Sequence, residues 1–385
     1  MPSELRAAIV YDCLYPYSRG GGERVYHAIA ETLVAQGFEV DYLTRSVLPD
    51  EMQMEHPFTV LPVWSGEIYD KDGTRTPSGA ILFGWGVFRA LRARRKDYSV
   101  VVASTLPALT VLAARLALLG GSTKLVADWL EVWPARKWRE YSGLIVGTMG
   151  WVLQGLAARV TLRHTVNSDF TARRFREIRR RAQPVVLGLV DLVEPEFPPL
   201  SPADPPYLLA VGRFIPDKRL DAIPAALAVA RRRYPDLRAI IVGTGPEETA
   251  VRAAAERAEM SDHIVFAGVV DDRRLAELRA RASVFVHPSR REGFGLVVAE
   301  AAAAGVPSVV ITGDDNAAVD LIEHMVNGVL AASVEPEDLG GALTEVLDAG
   351  QTLRRSSLEW FDEERAAHGL AASLKRVIYE AVGRD

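Results

Sequence analysis

Short apolar runs alternate along this chain with segments whose apolar positions recur every three to four residues, and the alternation runs through twice. Residues 7–11 are a strand-like run, and Gly20-Gly21-Gly22 makes a flexible turn. Residues 23–36 have helical periodicity and stop at Gly37, and residues 38–44 return to a strand pattern. The opening segment therefore reads as a βαβ unit. Residues 100–103, 124–127 and 159–166 predict further strands, and Ser168 is placed to cap an arginine-rich helix after them.

The pattern breaks near Pro195. Pro195, Pro198, Pro199, Pro202, Pro205 and Pro206 fall within twelve residues, among Glu194, Glu196 and Asp204. Such a segment cannot join a helix or a central strand, so it predicts a linker. Beyond it the alternation restarts, with strands at 207–211, 238–242, 264–266, 284–286 and 308–311 and helices at 220–233, 247–258, 273–281 and 296–304. A long final helix is expected over 360–382. The fold class is α/β, with two Rossmann-like domains facing across a cleft. The expected boundaries are residues 1–190, a linker at 191–206, a second domain at 207–358, and a helix at 359–385 returning to the first domain.

Composition narrows this only slightly. The 385 residues are 49% hydrophobic and 25% charged, ample for two cores. A net charge of -5 argues against a nucleic-acid partner. Two basic runs stand out: Arg89, Arg92, Arg94, Arg95 and Lys96, then Arg173, Arg174, Arg176, Arg179, Arg180 and Arg181. Each reads first as a solvated helix face. The single cysteine, Cys13, excludes an intramolecular disulfide and points to a reducing, cytoplasmic setting. Residues 143–158 are the most apolar stretch, but Gln154 interrupts them and they fall short of the ~20 residues a spanning helix needs. Residues 79–88, followed by the first basic run, fit either a buried helix with a solvated end or a peripheral contact with an anionic membrane face.

The strongest chemical signal lies between His287 and Glu300. A strand ends, Gly293, Phe294 and Gly295 follow, and a helix begins near Leu296 and Val297. Glycines let main-chain N–H groups approach an anion, and a helix N-terminus favours negative charge. The helix carrying Glu300 is otherwise apolar on every side, so the carboxylate is expected to be buried and to need hydrogen-bond partners such as ribose hydroxyls. Glu292 would lie beside the phosphate. Arg213 and Lys218, in the first turn after the proline-rich segment, supply cations for a diphosphate. Gly243-Thr244-Gly245 lacks a dinucleotide fingerprint, and no P-loop, HExxH or GxSxG pattern occurs. The pairs Asp271-Asp272 and Asp314-Asp315 read as caps and turns rather than metal ligands. His287 reads as structural.

Arg213 and Lys218 followed by Glu292-Gly-Phe-Gly-x-x-x-x-Glu300 resemble the retaining glycosyltransferases of family 4, which have the GT-B fold. Gly20-Gly21-Gly22-Glu23-Arg24 resembles that family's N-terminal glycine loop, which assigns Gly21 and Gly22 to the donor. The resemblance implies that Arg213 and Lys218 bind the donor diphosphate, that Glu300 holds the ribose and that Glu292 contacts the transferred sugar. Main-chain amides at Gly295, Leu296 and Val297 would cradle the distal phosphate. No metal and no cofactor beyond a nucleoside-diphosphate sugar are implied. The segment 128–133 departs from the pattern: Leu130 stands where many relatives carry a histidine, so either another group, with Glu131 the candidate, does that work or the acceptor side is built differently. The expected activity is sugar transfer with retention to a glycan, lipid-linked or small-molecule hydroxyl. A nucleotide-sugar epimerase and a non-catalytic sugar-nucleotide-binding protein fit the same residues.

Overall fold

Strands that are apolar on both faces form parallel sheets covered by helices, and both halves of this chain do so. The computed structural model describes residues 5–18, 20–46, 55–68, 75–195, 197 and 200–383. Glu196, Pro198 and Pro199 of the proline-rich segment lie outside the described residues. The chain divides into two units, Met1–Leu192 with His368–Asp385, and Val193–Ala367.

In the first unit the strands are β1 (Arg6–Val10), β2 (Glu39–Arg45), β3 (Thr59–Trp64), β4 (Val100–Ser104), β5 (Lys124–Trp129), β6 (Arg163–Val166) and β7 (Val185–Val186). They form one parallel sheet in the order β3-β2-β1-β4-β5-β6-β7. The helices are α1 (Gly21–Ala35), α2 (Pro77–Ala93), α3 (Ala108–Ala117), α4 (Ala135–Ser142), α5 (Leu144–Ala157) and α6 (Asp169–Ile178). Phe83, Val87, Val111, Trp129 and Phe175 anchor the core. The Ser168 side chain accepts from the Thr171 N–H at 3.1 Å, capping α6 as expected. The strand expected over 159–166 begins only at Arg163. Arg159 still donates its N–H back to the Leu156 carbonyl, so the chain is leaving a helix there.

The second unit contains β8 (Tyr207–Val211), β9 (Arg238–Val242), β10 (Ile264–Gly268), β11 (Val284–His287), β12 (Arg291–Glu292), β13 (Ser308–Ile311), β14 (Asp315–Asn316) and β15 (Gly328–Ala331). Its main sheet runs β10-β9-β8-β11-β13-β15, and β12 pairs with β14 separately. The helices are α7 (Ile223–Arg231), α8 (Glu248–Arg257), α9 (Asp272–Arg281), α10 (Leu296–Ala303) and α11 (Pro336–Ala367), the last bent at Gly350. Phe214, Leu227, Ile241, Val286 and Leu343 lie in one core.

The single helix expected over 360–382 is two. α11 ends at Ala367, and α12 (Leu370–Val382) starts after Gly369 and belongs to the first unit. There it packs against α1 and β6. The Leu370 N–H donates to Asp191 Oδ2 at 3.2 Å, and the Gly188 N–H to Ser373 Oγ at 3.3 Å. A Cβ on Gly188 would lie 1.8 Å from the His368 carbonyl oxygen, so only glycine permits this backbone contact. Gly188→Ala is expected to lower stability by about 1–3 kcal/mol in urea denaturation. An unchanged midpoint would contradict this role.

Candidate functional site

In an open parallel sheet the ligand crevice lies at the carboxyl ends of the two strands where the winding direction reverses. In the second unit those strands are β8 and β11, which are direct neighbours. The loop after β8 carries Arg213 and Lys218. The segment after β11 carries Glu292 and leads to α10.

The first loop is fixed by backbone contacts. The Phe214 N–H donates to the Thr244 carbonyl at 2.9 Å, and the Glu247 N–H to the Phe214 carbonyl at 3.0 Å. Cβ atoms on Gly243 and Gly245 would lie 1.9 Å from the Gly212 oxygen and 2.4 Å from the Phe214 oxygen. These glycines exist so that two strand-end loops can touch. The helix expected from residue 220 begins at Ile223, and Lys218 instead closes a 3-10 turn, Pro216–Lys218. Arg219 follows with a left-handed φ of 49°, a conformation that costs a non-glycine residue energy and is over-represented at functional sites. Arg213 is exposed.

Ion pairs then join this loop to the segment after β11. The Arg290 guanidinium donates to Asp217 Oδ1 at 2.6 Å, the Arg290 N–H to the Asp217 carbonyl at 2.8 Å, and Arg291 lies 3.5 Å from Asp217 Oδ2. The Lys218 ammonium donates to Glu292 Oε1. His287 Nε2 lies 3.0 Å from the same oxygen. Oε2 of Glu292 makes no ion pair or hydrogen bond among the described residues, so one carboxylate oxygen is committed and the other is available to a ligand. Burial would raise this carboxyl's pKa, but the adjoining His287 and Lys218 outweigh it and hold it well below the ordinary range. His287, read as structural, thus sits at the centre of the cluster.

α10 has the buried character expected of it. Leu296, Val298, Ala299 and Ala301–Ala303 are buried, and Glu300 is only 7% exposed. Gly295, at its N-terminus, has φ 101°, and a Cβ there would meet the Ala318 methyl at 2.7 Å. The N–H groups of the first turn, including Leu296 and Val297, have no acceptor within an α-helix. Asn316 braces the turn from behind: its amide donates to the Ser289 and Ile311 carbonyls, and its oxygen accepts the Ala318 N–H. Asp271 caps α9 by accepting the Arg274 N–H at 2.7 Å. Arg279, from that helix, donates to Glu300 Oε2 at 2.6 Å. Sequence reasoning missed Arg279, Asp217, Arg290 and Arg291. For Arg279 the one available signal was a buried glutamate that required a partner.

The first unit brings a different group together. The Gly20–Gly22 turn opens α1, and a Cβ on Gly22 would lie 2.8 Å from the Tyr11 hydroxyl and 2.9 Å from Leu130 Cδ1. The glycine loop and the 128–133 segment therefore touch. Leu130 is buried, and the Glu131 carboxylate accepts the Trp133 indole N–H. Asp128 is fully buried between the Tyr26 and Thr165 hydroxyls, at 2.6 and 2.5 Å. Burial pushes its carboxyl up to about 6 despite those donors. Cys13 is buried, with its thiol pushed up to about 12 by burial and by neighbouring Asp12.

Two family models match the chain. One, described as glycosyl transferases group 1, matches residues 194–357, and the other, a glycosyl transferase 4-like domain, matches residues 20–188. A GDP-mannose-dependent alpha-(1-6)-phosphatidylinositol monomannoside mannosyltransferase of Mycobacterium tuberculosis is 31% identical over 179 residues, 44% of this chain and 46% of that protein. D-inositol 3-phosphate glycosyltransferase 2 of Catenulispora acidiphila is 32% identical over 198 residues, covering 49% and 43%. The match thus spans under half the length of these relatives. Among solved structures, sucrose-phosphate synthase from Thermosynechococcus elongatus has a TM-score of 0.76 at 18% identity, covering 97% of both chains. Anabaena HepE in complex with UDP has a TM-score of 0.72 at 16% identity, covering 98% of this chain and all of that one. These structures share the GT-B fold.

Two outcomes follow for stability. The depressed Glu292 carboxyl contributes stability that is present above the ordinary glutamate pKa of about 4.3 and is lost as pH falls toward its lower folded value. Glu292→Gln is expected to flatten the acid limb of the stability–pH profile below about pH 4.3, and superimposable profiles would refute the pairing. Arg279→Met strips buried Glu300 of its guanidinium and is expected to cost about 3 kcal/mol, most of it recovered in Arg279→Met/Glu300→Met. A double variant no more stable than the single one would count against the pair.

Proposed function

Because this chain belongs to the GT4-type glycosyltransferases, we propose that it moves a sugar from a nucleoside diphosphate to an acceptor hydroxyl, with retention at the anomeric carbon and without a metal ion. One observation carries the reading. At the switch point of the second unit, Arg213, Lys218, Glu292, the first turn of α10 and buried Glu300 are gathered at the ends of adjacent strands. The GDP-mannose dependence named for the mycobacterial relative and the UDP held by the Anabaena structure support a nucleotide-sugar donor.

In this reading Arg213 and Lys218 take up the negative charge that builds on the leaving diphosphate. The amides at Gly295, Leu296 and Val297 hold its distal phosphate, and Glu300 accepts hydrogen bonds from the ribose. Glu292 offers Oε2 to the hydroxyls of the transferred sugar while Lys218 and His287 hold Oε1. The bond from the anomeric carbon to the phosphate oxygen breaks as the acceptor oxygen bonds on the same face. The acceptor proton passes to the departing phosphate. Catalysis is then orientation and charge stabilisation. In the first unit, Gly21 and Gly22 would border the donor and Glu131 the acceptor. A cytoplasmic enzyme with peripheral membrane contact and a lipid-linked acceptor completes the reading.

The test is incubation with a panel of nucleoside-diphosphate sugars and candidate acceptors, following nucleotide release and product anomeric configuration by NMR. One donor is expected to turn over with retention, unaffected by EDTA. Lys218→Ala is expected to reduce turnover by roughly 10²–10³-fold. Full activity in that variant, an inverted product, or loss of activity on chelation would each refute the corresponding part.

A further inference from the structure

In the first unit α2 packs on α3, α3 on α5, and α5 on α4, so these helices form one contiguous layer. The outer side of α2, α3 and α5 is largely apolar. Leu144 and Ile145 are 71% and 80% exposed, Ile81 and Trp85 are 60% and 59%, and Leu116 and Met149 are exposed as well. Leu144–Ala157 contains no charged residue, and only Gly147, Gln154 and Ala157 are buried in it.

The helix is nevertheless firmly seated. Gln154 accepts the Trp133 N–H at 3.0 Å and the Trp138 indole N–H at 3.2 Å, and donates to the Trp133 carbonyl at 2.8 Å. A Cβ on Gly147 would lie 2.2 Å from the Trp138 carbonyl oxygen. The fold holds one side of α5 closely and displays the other.

The charge on the same elements opposes that of the chain. Residues 77–96 contain five basic residues and no acid, residues 108–121 contain Arg115 alone, and residues 135–163 contain five basic residues against Glu140, in a protein of net charge -5. Arg92 and Arg95 donate to carbonyls at the end of α3, and Arg139 donates to Thr148 of α5, which fixes cations around the apolar face. The first basic run is therefore more than a solvated helix end.

We propose that this layer docks on an anionic lipid bilayer, with the apolar side chains of α2 and α5 entering the headgroup boundary and the surrounding arginines meeting lipid phosphates. Exposed aromatic and aliphatic side chains ringed by Arg and Lys suit that boundary. A second copy of the chain suits the face poorly, because two surfaces of the same sign would be brought together. Among the described residues no helix is long and apolar enough to cross a membrane, so the contact is interfacial. The inference does not rest on the donor reading, and lipid binding is measured without turnover.

The experiment is flotation of the full chain with vesicles of phosphatidylcholine alone and of phosphatidylcholine mixed with phosphatidylglycerol, at low and high salt. Wild type is expected to float with the anionic vesicles, less with the neutral ones and less in high salt. Leu144→Glu/Ile145→Glu is expected to lose about tenfold or more of that partitioning at an unchanged unfolding midpoint. Wild type remaining in solution, or the variant floating equally well, overturns the proposal. So does self-association in sedimentation that the substitutions abolish, which would make the face a contact between copies.

Discussion

The contact between the Lys218 ammonium and Glu292 Oε1 is the constraint around which the second unit's site is arranged. Lys218 stands beyond β8 and Glu292 beyond β11, 74 residues apart in sequence and adjacent only because those strands are neighbours. Partly buried charges are costly unless paired and held in good geometry. Here the geometry comes from outside the pair, through Asp217 bonded to Arg290 and Arg291, Gly243 and Gly245 admitting the Gly212–Phe214 backbone, and His287 on the same oxygen. The network fixes one oxygen of Glu292 and leaves the other unclaimed among the described residues. It also holds Lys218 in place before any ligand arrives, which lowers the ordering cost of binding an anion.

The same logic governs Glu300. A carboxylate inside an apolar helix is tolerated when a guanidinium meets it, and Arg279 does so from α9. The second unit therefore positions two carboxylates by two different cations, Glu292 before the glycine turn and Glu300 within α10. In the first unit the loop after β1 holds buried Asp12 against Arg75, with Tyr11 stacked on Tyr26, and Leu130, just after β5, lies against Gly22. Basic residues in that unit cluster in the run from Arg89 to Lys96, on α4 and on α6. The second unit thus uses paired charges to join the loops after β8 and β11, whereas the first sets basic residues beside an exposed apolar face.

Much of this was legible in the sequence because parallel strands buried on both faces read as continuous apolar runs. β1, β4, β8, β9 and β13 are such runs. β3 was not anticipated, since Thr59–Trp64 is a half-buried edge strand containing Pro62. β7, two residues long, is too short to stand out, and β15 opens on Gly328, which interrupts its apolar run. The burial of Glu300 was readable from the alanines around it, but Arg279 was not, because an arginine near the end of a charged helix resembles every other surface arginine. Asp217 and Arg290 escaped for a similar reason, their meeting depending on strand order. The exposed side of α5 escaped for the opposite reason: an all-apolar helix has the same pattern whether protein, solvent or lipid lies beyond it.

A nucleoside diphosphate bound in the proposed way would set its phosphates on the second unit's cations and its ribose on Glu300. Calorimetric titration of the full chain with a nucleoside diphosphate and its 2′,3′-dideoxy analogue addresses this directly, in wild type and in Glu300→Gln. The account predicts that wild type binds the ribonucleotide at least about tenfold more tightly than the analogue, and that Glu300→Gln loses most of this preference. Equal affinity of wild type for the two ligands, or a preference unchanged in Glu300→Gln, would contradict it.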